Sequence, residues 1–295
     1  MDELLRPKAG VKWEGIMLNL SICHYSFHRC WKEENWTVER LCQEVKALGV
    51  EAVDFHAGLL GEREGAAEKI KTALSKTGLA LSGFSLSTNF NLDDPDVYED
   101  MLNNTIAWMR VASEVGAPVS RIFGGTLRDR LEIDETTKNN AFQRVTDALG
   151  RLANEAEKLG LVLALENHGG LPCSGAEQVD MIRSVGSKYL RATIDVANYL
   201  ACGQEAVEGT RIAADYGAYV HLKDYKKYPD SSLPWGWGIK RCTIGKGDVD
   251  QLGCLRELKA AGYDGYLAIE YEGPDDERVG VPESVEFMRS VMNKL

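Results

Sequence analysis

The chain has 295 residues, 44% hydrophobic and 27% charged, with 34 Lys and Arg against 45 Asp and Glu for a formal net charge of −11. That apolar content supports one large buried core, while an acidic surface repels phosphate backbones and anionic lipid and so argues against nucleic-acid or membrane partners. No run approaches the ~18 apolar residues of a membrane span, the first fifteen residues lack a signal-peptide core, and seven cysteines without a C-x-x-C pair read as reduced thiols, so a cytoplasmic protein is expected.

Residues 1–15 read as an N-terminal extension, and residues 1–295 as a single domain without an internal linker. Short apolar runs at 16–23, 52–55, 79–84, 121–123, 161–165, 191–194, 218–220 and 266–269 alternate with amphipathic stretches. Such alternation predicts βα units around a parallel sheet. Between the third and fourth runs, Asp94-Pro95 offers an N-cap followed by proline at the first helical position, where its missing N–H costs nothing. From Thr136 onward, Phe142, Val145, Leu149, Leu152, Ala156 and Leu159 recur at three- and four-residue steps until Gly160 ends the helix. Asp248 is expected to cap a helix carrying Leu252, Leu255 and Leu258 and stopped by Gly262. Pro282 is expected to start the last helix, with Val285, Met288, Val291 and Met292 inward. Eight strands and about eight helices make an α/β fold of the (β/α)8 TIM-barrel type. An open doubly wound sheet would want a Gly-rich loop after its first strand, where this chain has His24-Tyr25-Ser26-Phe27-His28.

In a barrel, catalytic groups stand at the C-terminal ends of the strands. The last four apolar runs lead into Glu166, Asp195, His221 and Glu270. A charge directly after an apolar strand is costly to bury unless a partner waits for it, and four from consecutive strands converge on one mouth. Three carboxylates and an imidazole form an oxygen-rich set suited to one divalent ion, Mn²⁺ first, with Mg²⁺, Co²⁺ or Zn²⁺ as alternatives. Lys223 offsets part of the negative charge.

Around this set lie residues with two readings each. His168, two beyond Glu166 and on the same side of an extended segment, either transfers a proton or binds substrate, or else orients Glu166. Lys223 stands in the same relation to His221, as a substrate contact or as an ion-pair partner of Asp224 or Glu270. His24, Asp54 and His56 close the first two strands, where substrate hydroxyl contacts compete with structural roles. Asn198 either bonds a sugar hydroxyl or turns the chain. Residues 225–243 exceed the usual βα loop and carry Trp235, Trp237 and Arg241 among glycines. They suit a lid on a sugar's apolar face, or a contact between copies in a homo-oligomer. Ile244-Gly245-Lys246-Gly247-Asp248 reads as a closed turn, not a phosphate loop.

The order Glu166-Asn167-His168-Gly169-Gly170, Ile194-Asp195-x-x-Asn198, Val220-His221-Leu222-Lys223-Asp224, Ile244-Gly245-x-Gly247-Asp248 and Ala268-Ile269-Glu270 resembles the xylose-isomerase-like TIM barrels, over about residues 17–290. The resemblance implies that Glu166, Asp195, His221 and Glu270 hold the metal. It also implies that the two glutamates act as acid and base, as in the ketose 3-epimerase branch. That branch has a histidine where this chain has Asn198 and an arginine where it has Lys227. The inosose dehydratase branch shares a similar His-x-Lys-Asp segment. The endonuclease branch needs a richer histidine set than the five present, which makes a hydrolytic nuclease a distant alternative. The expectation is a divalent-metal-dependent sugar or sugar-phosphate isomerase or epimerase working through an enediolate on a small carbohydrate. The alternative is a lyase or dehydratase performing β-elimination on a keto-sugar, keto-glycoside or keto-inositol, which begins with the same proton abstraction.

Overall fold

The computed structural model describes residues 18–127, 133–228 and 238–295. Eight strands form a closed parallel barrel: β1 (Asn19–Cys23), β2 (Ala52–His56), β3 (Ala80–Ser85), β4 (Val119–Phe123), β5 (Val162–Glu166), β6 (Leu190–Asp195), β7 (Gly217–Leu222) and β8 (Tyr266–Ile269). Each pairs with its chain neighbours, and β8 closes on β1 through Asn19 opposite Tyr266 and Ile22 opposite Ile269. Between β5 and β6, Glu166 lies opposite Thr193, and between β6 and β7, Asp195 lies opposite His221. His221 in turn lies opposite Ala268 of β8. Each of the eight apolar runs overlaps a barrel strand, residues 16 and 17 of the first run lying outside the described residues.

Outside the barrel run α1 (Val38–Ala47), α2 (Ala66–Thr77), α3 (Pro95–Glu114), α4 (Glu135–Leu159), α5 (Gly175–Val185), α6 (Ala206–Ala213), α7 (Gln251–Ala260) and α8 (Glu277–Met292). Asp94 caps α3 by accepting the amides of Asp96 and Val97, with Pro95 at the first helical position as expected. The inward face of α4, from Ala141 through Val145, Leu149 and Leu152 to Ala156, is fully buried, and Gly160 closes the helix at φ 63°. Two helix starts differ from expectation. Asp250, not Asp248, caps α7 by accepting the Gly253 amide, because Asp248 is taken by the Lys226 ammonium and the Lys227 amide. Helix α8 begins after the Asp276 cap, which leaves Pro282 inside it at the loss of one backbone hydrogen bond. Buried Glu277 accepts the amides of Arg29 and Cys30, tying α8 to the segment that follows β1.

Two antiparallel ribbons stand on the C-terminal side of the barrel: Gly125–Thr126 with Gly170–Leu171, and Tyr225–Lys227 with Ile239–Arg241. Cys173 and Cys202 form a disulfide with Cα atoms 5.7 Å apart, which corrects the expectation of wholly reduced thiols, and the other five cysteines are free. This bond joins the segment after β5 to the one after β6.

The barrel interior holds a hydrogen-bonded polar row among its apolar layers. Ser21 Oγ meets Ser82 Oγ, Ser82 Oγ meets the Tyr219 hydroxyl at 3.1 Å, and that hydroxyl reaches Asp54 Oδ2 at 3.4 Å. Space for the Tyr219 ring comes from Gly83, where an added Cβ would lie 2.9 Å from the ring. Among the described residues, no helix is long and apolar enough to cross a membrane.

Candidate metal centre and its surroundings

Strand ends deliver Glu166 and Asp195 as the last residues of β5 and β6, His221 near the end of β7, and Glu270 one residue past β8. All four are buried, and one ligand atom from each lies within 4.8 Å of the other three. His221 Nδ1 is 3.4 Å from Glu166 Oε2 and 3.6 Å from Glu270 Oε2. Glu166 Oε2, Asp195 Oδ2, Glu270 Oε2 and both ring nitrogens of His221 make no aligned hydrogen bond despite their burial, although the Lys223 ammonium and Arg121 stand against the three oxygens. Buried polar atoms are seldom left so, and donor atoms gathered at one point that cations already neighbour form an arrangement a divalent ion fits. Three carboxylate oxygens and one nitrogen fit a hard or borderline divalent ion.

Side-chain amides hold these strand ends in place. Asn167 Nδ2 donates to the Asp195 carbonyl at 2.9 Å, and its Oδ1 accepts the Asp195 amide at 3.0 Å. Gln178 Nε2 donates to the carbonyls of Leu165 and Thr193, and Gln251 Nε2 to that of Lys223. Asp195 Oδ1 accepts the amides of Ala197 and Asn198, which leaves Oδ2 facing the mouth. Asn198 Nδ2 donates to Glu166 Oε1 at 3.1 Å, while its Oδ1 accepts the Tyr225 hydroxyl.

Charges in the site are unequal. Burial pushes Glu166 up to about 7, against the lowering pull of Arg121 and His221. Burial would also raise Glu270, but the Lys223 ammonium and His221 overcome it and hold the carboxyl well below its usual range. Lys223 Nζ lies 2.6 Å from Glu270 Oε2, 3.1 Å from Asp195 Oδ2 and 3.5 Å from Glu272 Oε2. Its ion pairs are thus with Asp195, Glu270 and Glu272 and not with Asp224. Burial disfavours its charge, yet these three carboxylates raise it well above the ordinary lysine range. Asp224 instead organises the turn after the second ribbon, its carboxylate accepting the amides of Gly245, Gly247 and Val249. Gly247 is required there, since an added Cβ would fall 2.0 Å from Asp224 Oδ1.

His168 lies outside the tetrad and stacks on Phe123 with ring centroids 4.1 Å apart. Burial, with Lys223 and Arg121 nearby, lowers its pKa to about 3, so the ring is neutral at ordinary pH. His56 is likewise lowered to about 3, by burial and Arg121, and its Nε2 meets Ser87 Oγ at 3.2 Å. Its backbone amide points to His24 Nδ1 at 3.4 Å. Arg241 on the second ribbon pairs with Glu272 at 2.8 Å, at the rim of the mouth. Trp235 and Trp237 lie outside the described residues. Lys227 pairs with Glu205 on the surface.

Two neighbours of the tetrad escaped the sequence reading. Arg121 is fully buried, with Nε 3.1 Å from Glu166 Oε2, Nη1 donating to the Leu86 carbonyl, and its guanidinium 4.0 Å above the Phe123 ring. The Nε contact is electrostatic and not an aligned hydrogen bond, since both atoms remain unsatisfied. Glu272 stands two residues beyond Glu270, and that same-face spacing was the available signal for it.

Known proteins resemble this chain in sequence and in fold. A family model described as xylose isomerase-like TIM barrel matches residues 42–291. An inosose dehydratase of Clostridium perfringens is 23% identical over 184 residues, covering 59% of this chain and 61% of that protein. The chain spans between 41% and 61% of the length of the first curated relatives it matches. Among solved structures, an L-ribulose 3-epimerase superposes with TM-score 0.74 at 18% identity, covering 94% of this chain and 95% of the other. A 3-keto-D-glucoside 4-epimerase from E. coli superposes with TM-score 0.73 at 16% identity, covering 94% and 100%. At those identities the structural likeness speaks for the fold alone.

Proposed function

The chain belongs to the xylose isomerase-like TIM barrel family, and from that premise we propose that it is a divalent-metal-dependent carbohydrate isomerase or epimerase. The observation that carries this reading is the convergence of Glu166, Asp195, His221 and Glu270, with unsatisfied buried ligand atoms, at the barrel mouth. An ion held there, Mn²⁺ in the first instance, would act as a Lewis acid toward a substrate carbonyl and its neighbouring hydroxyl.

The chain's own residues do the rest. Burial raises Glu166 to about 7 in the metal-free site, and an ion bound beside it would lower that, leaving an ionised carboxylate able to act as a base near neutrality. Its Oε1 is held by Asn198 and its Oε2 is turned to the tetrad, so Glu166 would serve both as a ligand and as the carboxylate that takes a proton from the carbon beside the carbonyl. Glu270, kept ionised by Lys223 and His221, is the second carboxylate and reaches the site from another strand. Neutral His168 on its Phe123 platform can exchange hydrogen bonds with a substrate hydroxyl without adding charge. Lys223 and Arg241, with Asn198 and His56, complete the polar surroundings offered to such a substrate. Return of the proton to the adjacent carbon gives isomerisation, and return to the opposite face of the same carbon gives epimerisation.

A lyase performing β-elimination is the second reading. The match to inosose dehydratase favours it, together with Asn198 at the position where ketose 3-epimerases carry histidine. The test is incubation of the metal-loaded protein with ketoses, keto-glycosides and keto-inositols in D₂O, followed by mass spectrometry. Deuterium in a product of unchanged formula supports the isomerase or epimerase, and loss of water or an aglycone supports the lyase. No turnover and no exchange across the panel would overturn both.

A further inference from the structure

A second group of ligand-type side chains lies beside the tetrad inside the barrel. Cys23 at the end of β1 and Asp54 in β2 are ladder partners, and Cys23 Sγ donates to Asp54 Oδ1 at 3.4 Å. One ligand atom each from Cys23, Asp54 and His221 lies within 4.8 Å of the other two, and all three residues are fully buried. Asp54 Oδ2 is occupied by Ser85 Oγ at 2.7 Å and by the Tyr219 hydroxyl, which fixes the carboxylate with Oδ1 toward the thiol. His221 contributes a fully buried ring whose nitrogens make no aligned hydrogen bond, with Nδ1 3.4 Å from Glu166 Oε2 and 3.6 Å from Glu270 Oε2.

We propose that Cys23, Asp54 and His221 form a second cation site, specific for a thiophilic divalent ion such as Zn²⁺ or Cd²⁺, that shares His221 with the oxygen-rich tetrad. One sulfur, one nitrogen and one carboxylate oxygen make a borderline-to-soft donor set, whereas Mn²⁺ and Mg²⁺ favour the carboxylates of the tetrad. Tetrahedral zinc with its usual bond lengths holds sulfur and oxygen ligands about 3.6 Å apart. The observed Sγ–Oδ1 separation of 3.4 Å already meets that requirement, so the His221 ring is the group that adjusts. Coordination replaces the Cys23 S–H bond by a sulfur–metal bond and releases the proton to solvent, with no change in oxidation state. A neutral imidazole has one nitrogen lone pair, so His221 serves one site at a time. A soft ion therefore withdraws His221 from the tetrad and opposes the hard ion there. The competition with the hard ion rests on the tetrad reading, but the site itself does not.

Metal-stripped full-length protein titrated with Cd²⁺ should develop sulfur-to-cadmium charge-transfer absorption in the ultraviolet that saturates at about one equivalent per chain. Cys23→Ser should remove that band while Mn²⁺ binding, followed by electron paramagnetic resonance, persists. Ser85→Ala, which removes the shorter of the two hydrogen bonds on Asp54 Oδ2, should keep the band and move its midpoint to about tenfold higher Cd²⁺. Full band amplitude in Cys23→Ser, arising from Cys30, Cys42, Cys242 or Cys254, would overturn the proposal. So would Cd²⁺ bound without any such band. A Cys23-dependent band in a protein that binds no Mn²⁺ would support this site while counting against the tetrad reading.

Discussion

Asn198 holds Glu166 by one carboxylate oxygen and leaves it the other: its Nδ2 reaches Oε1 at 3.1 Å, while Oε2 has no hydrogen-bond partner. The amide is itself oriented from behind, by the Tyr225 hydroxyl on its Oδ1. Asn198→Ala should therefore free Glu166 to rotate, lowering metal affinity or turnover by about 10–100-fold with the fold intact. Metal titration and steady-state rates on the same preparation check this, and wild-type values in both would show that the contact does no orienting.

On the proposed metal reading, proton competition at Glu166 would set the pH dependence of metal binding. Its pKa is raised from the ordinary carboxylate value to about 7, so below that pH the group carries a proton that an incoming ion must displace. Affinity should fall as pH drops below about 7, by up to about tenfold per unit, and level off above it. The same shift makes this one carboxyl favour the metal-free fold at low pH and weaken it as pH rises from the unfolded value toward 7. Affinity that stays flat from about pH 5.5 to 8 would contradict both statements.

Replacing either glutamate by glutamine separates ligation from proton transfer. The amide oxygen still donates a lone pair but accepts no proton from carbon. Glu166→Gln and Glu270→Gln should keep substantial metal and lose about 10²-fold or more in turnover. Solvent deuterium exchange at the substrate's α-carbon tells which one is the base, and exchange at the wild-type rate in both would exclude the pair and leave His168 or Lys223.

The Asp224 carboxylate binds three backbone amides in the turn after the second ribbon. Asp224→Ala leaves them without that acceptor and should cost about 2–4 kcal/mol, visible as a drop of several degrees in Tm. Gly247→Ala should be comparably harmful, because its Cβ overlaps the same carboxylate. Unchanged melting in both variants would mean the turn holds without them.

Thiol titration under denaturing, non-reducing conditions should find five free cysteines, and seven after reduction. The Cys173–Cys202 bond spans 29 positions of chain, and closing a loop of that length contributes about 3–4 kcal/mol by constraining the unfolded state. Reduced protein should melt lower, and seven reactive thiols without reductant would refute the pairing.

How far the sequence alone reaches depends on whether a feature is local. The barrel strands were legible because each is a short apolar run between helical periodicities. The tetrad was legible because an ionisable side chain directly continues an apolar run, an arrangement that burial penalises. Arg121 was hidden because the run was read as starting at residue 121, where a charge looks like a solvated strand end. The strand in fact begins at Val119, which puts Arg121 in mid-strand. The choice between Asp248 and Asp250 as helix cap was settled by Lys226 and Lys227 on a distant ribbon, which engage the first acid and leave the second to the helix. The Cys173–Cys202 contact follows from two loops meeting over the barrel, and residue spacing does not record that meeting.

The ladder from β5 to β8 indexes the tetrad. Asp195 and His221 are direct partners, Glu166 is opposite the residue two before Asp195, and Glu270 lies two past the partner of His221. Deleting or inserting one residue within any of these strands would swing its donor from the lumen to the helical layer, because side chains alternate along a strand. Changes in the length of a segment beyond Glu270, Asn198 and Tyr225 leave that indexing untouched. The barrel and the first residues of its loops thus work as a rigid mount, and the outer parts of the loops as interchangeable fittings. An engineer can exchange those outer parts, whereas the strands and the residues just past them tolerate only substitution in place.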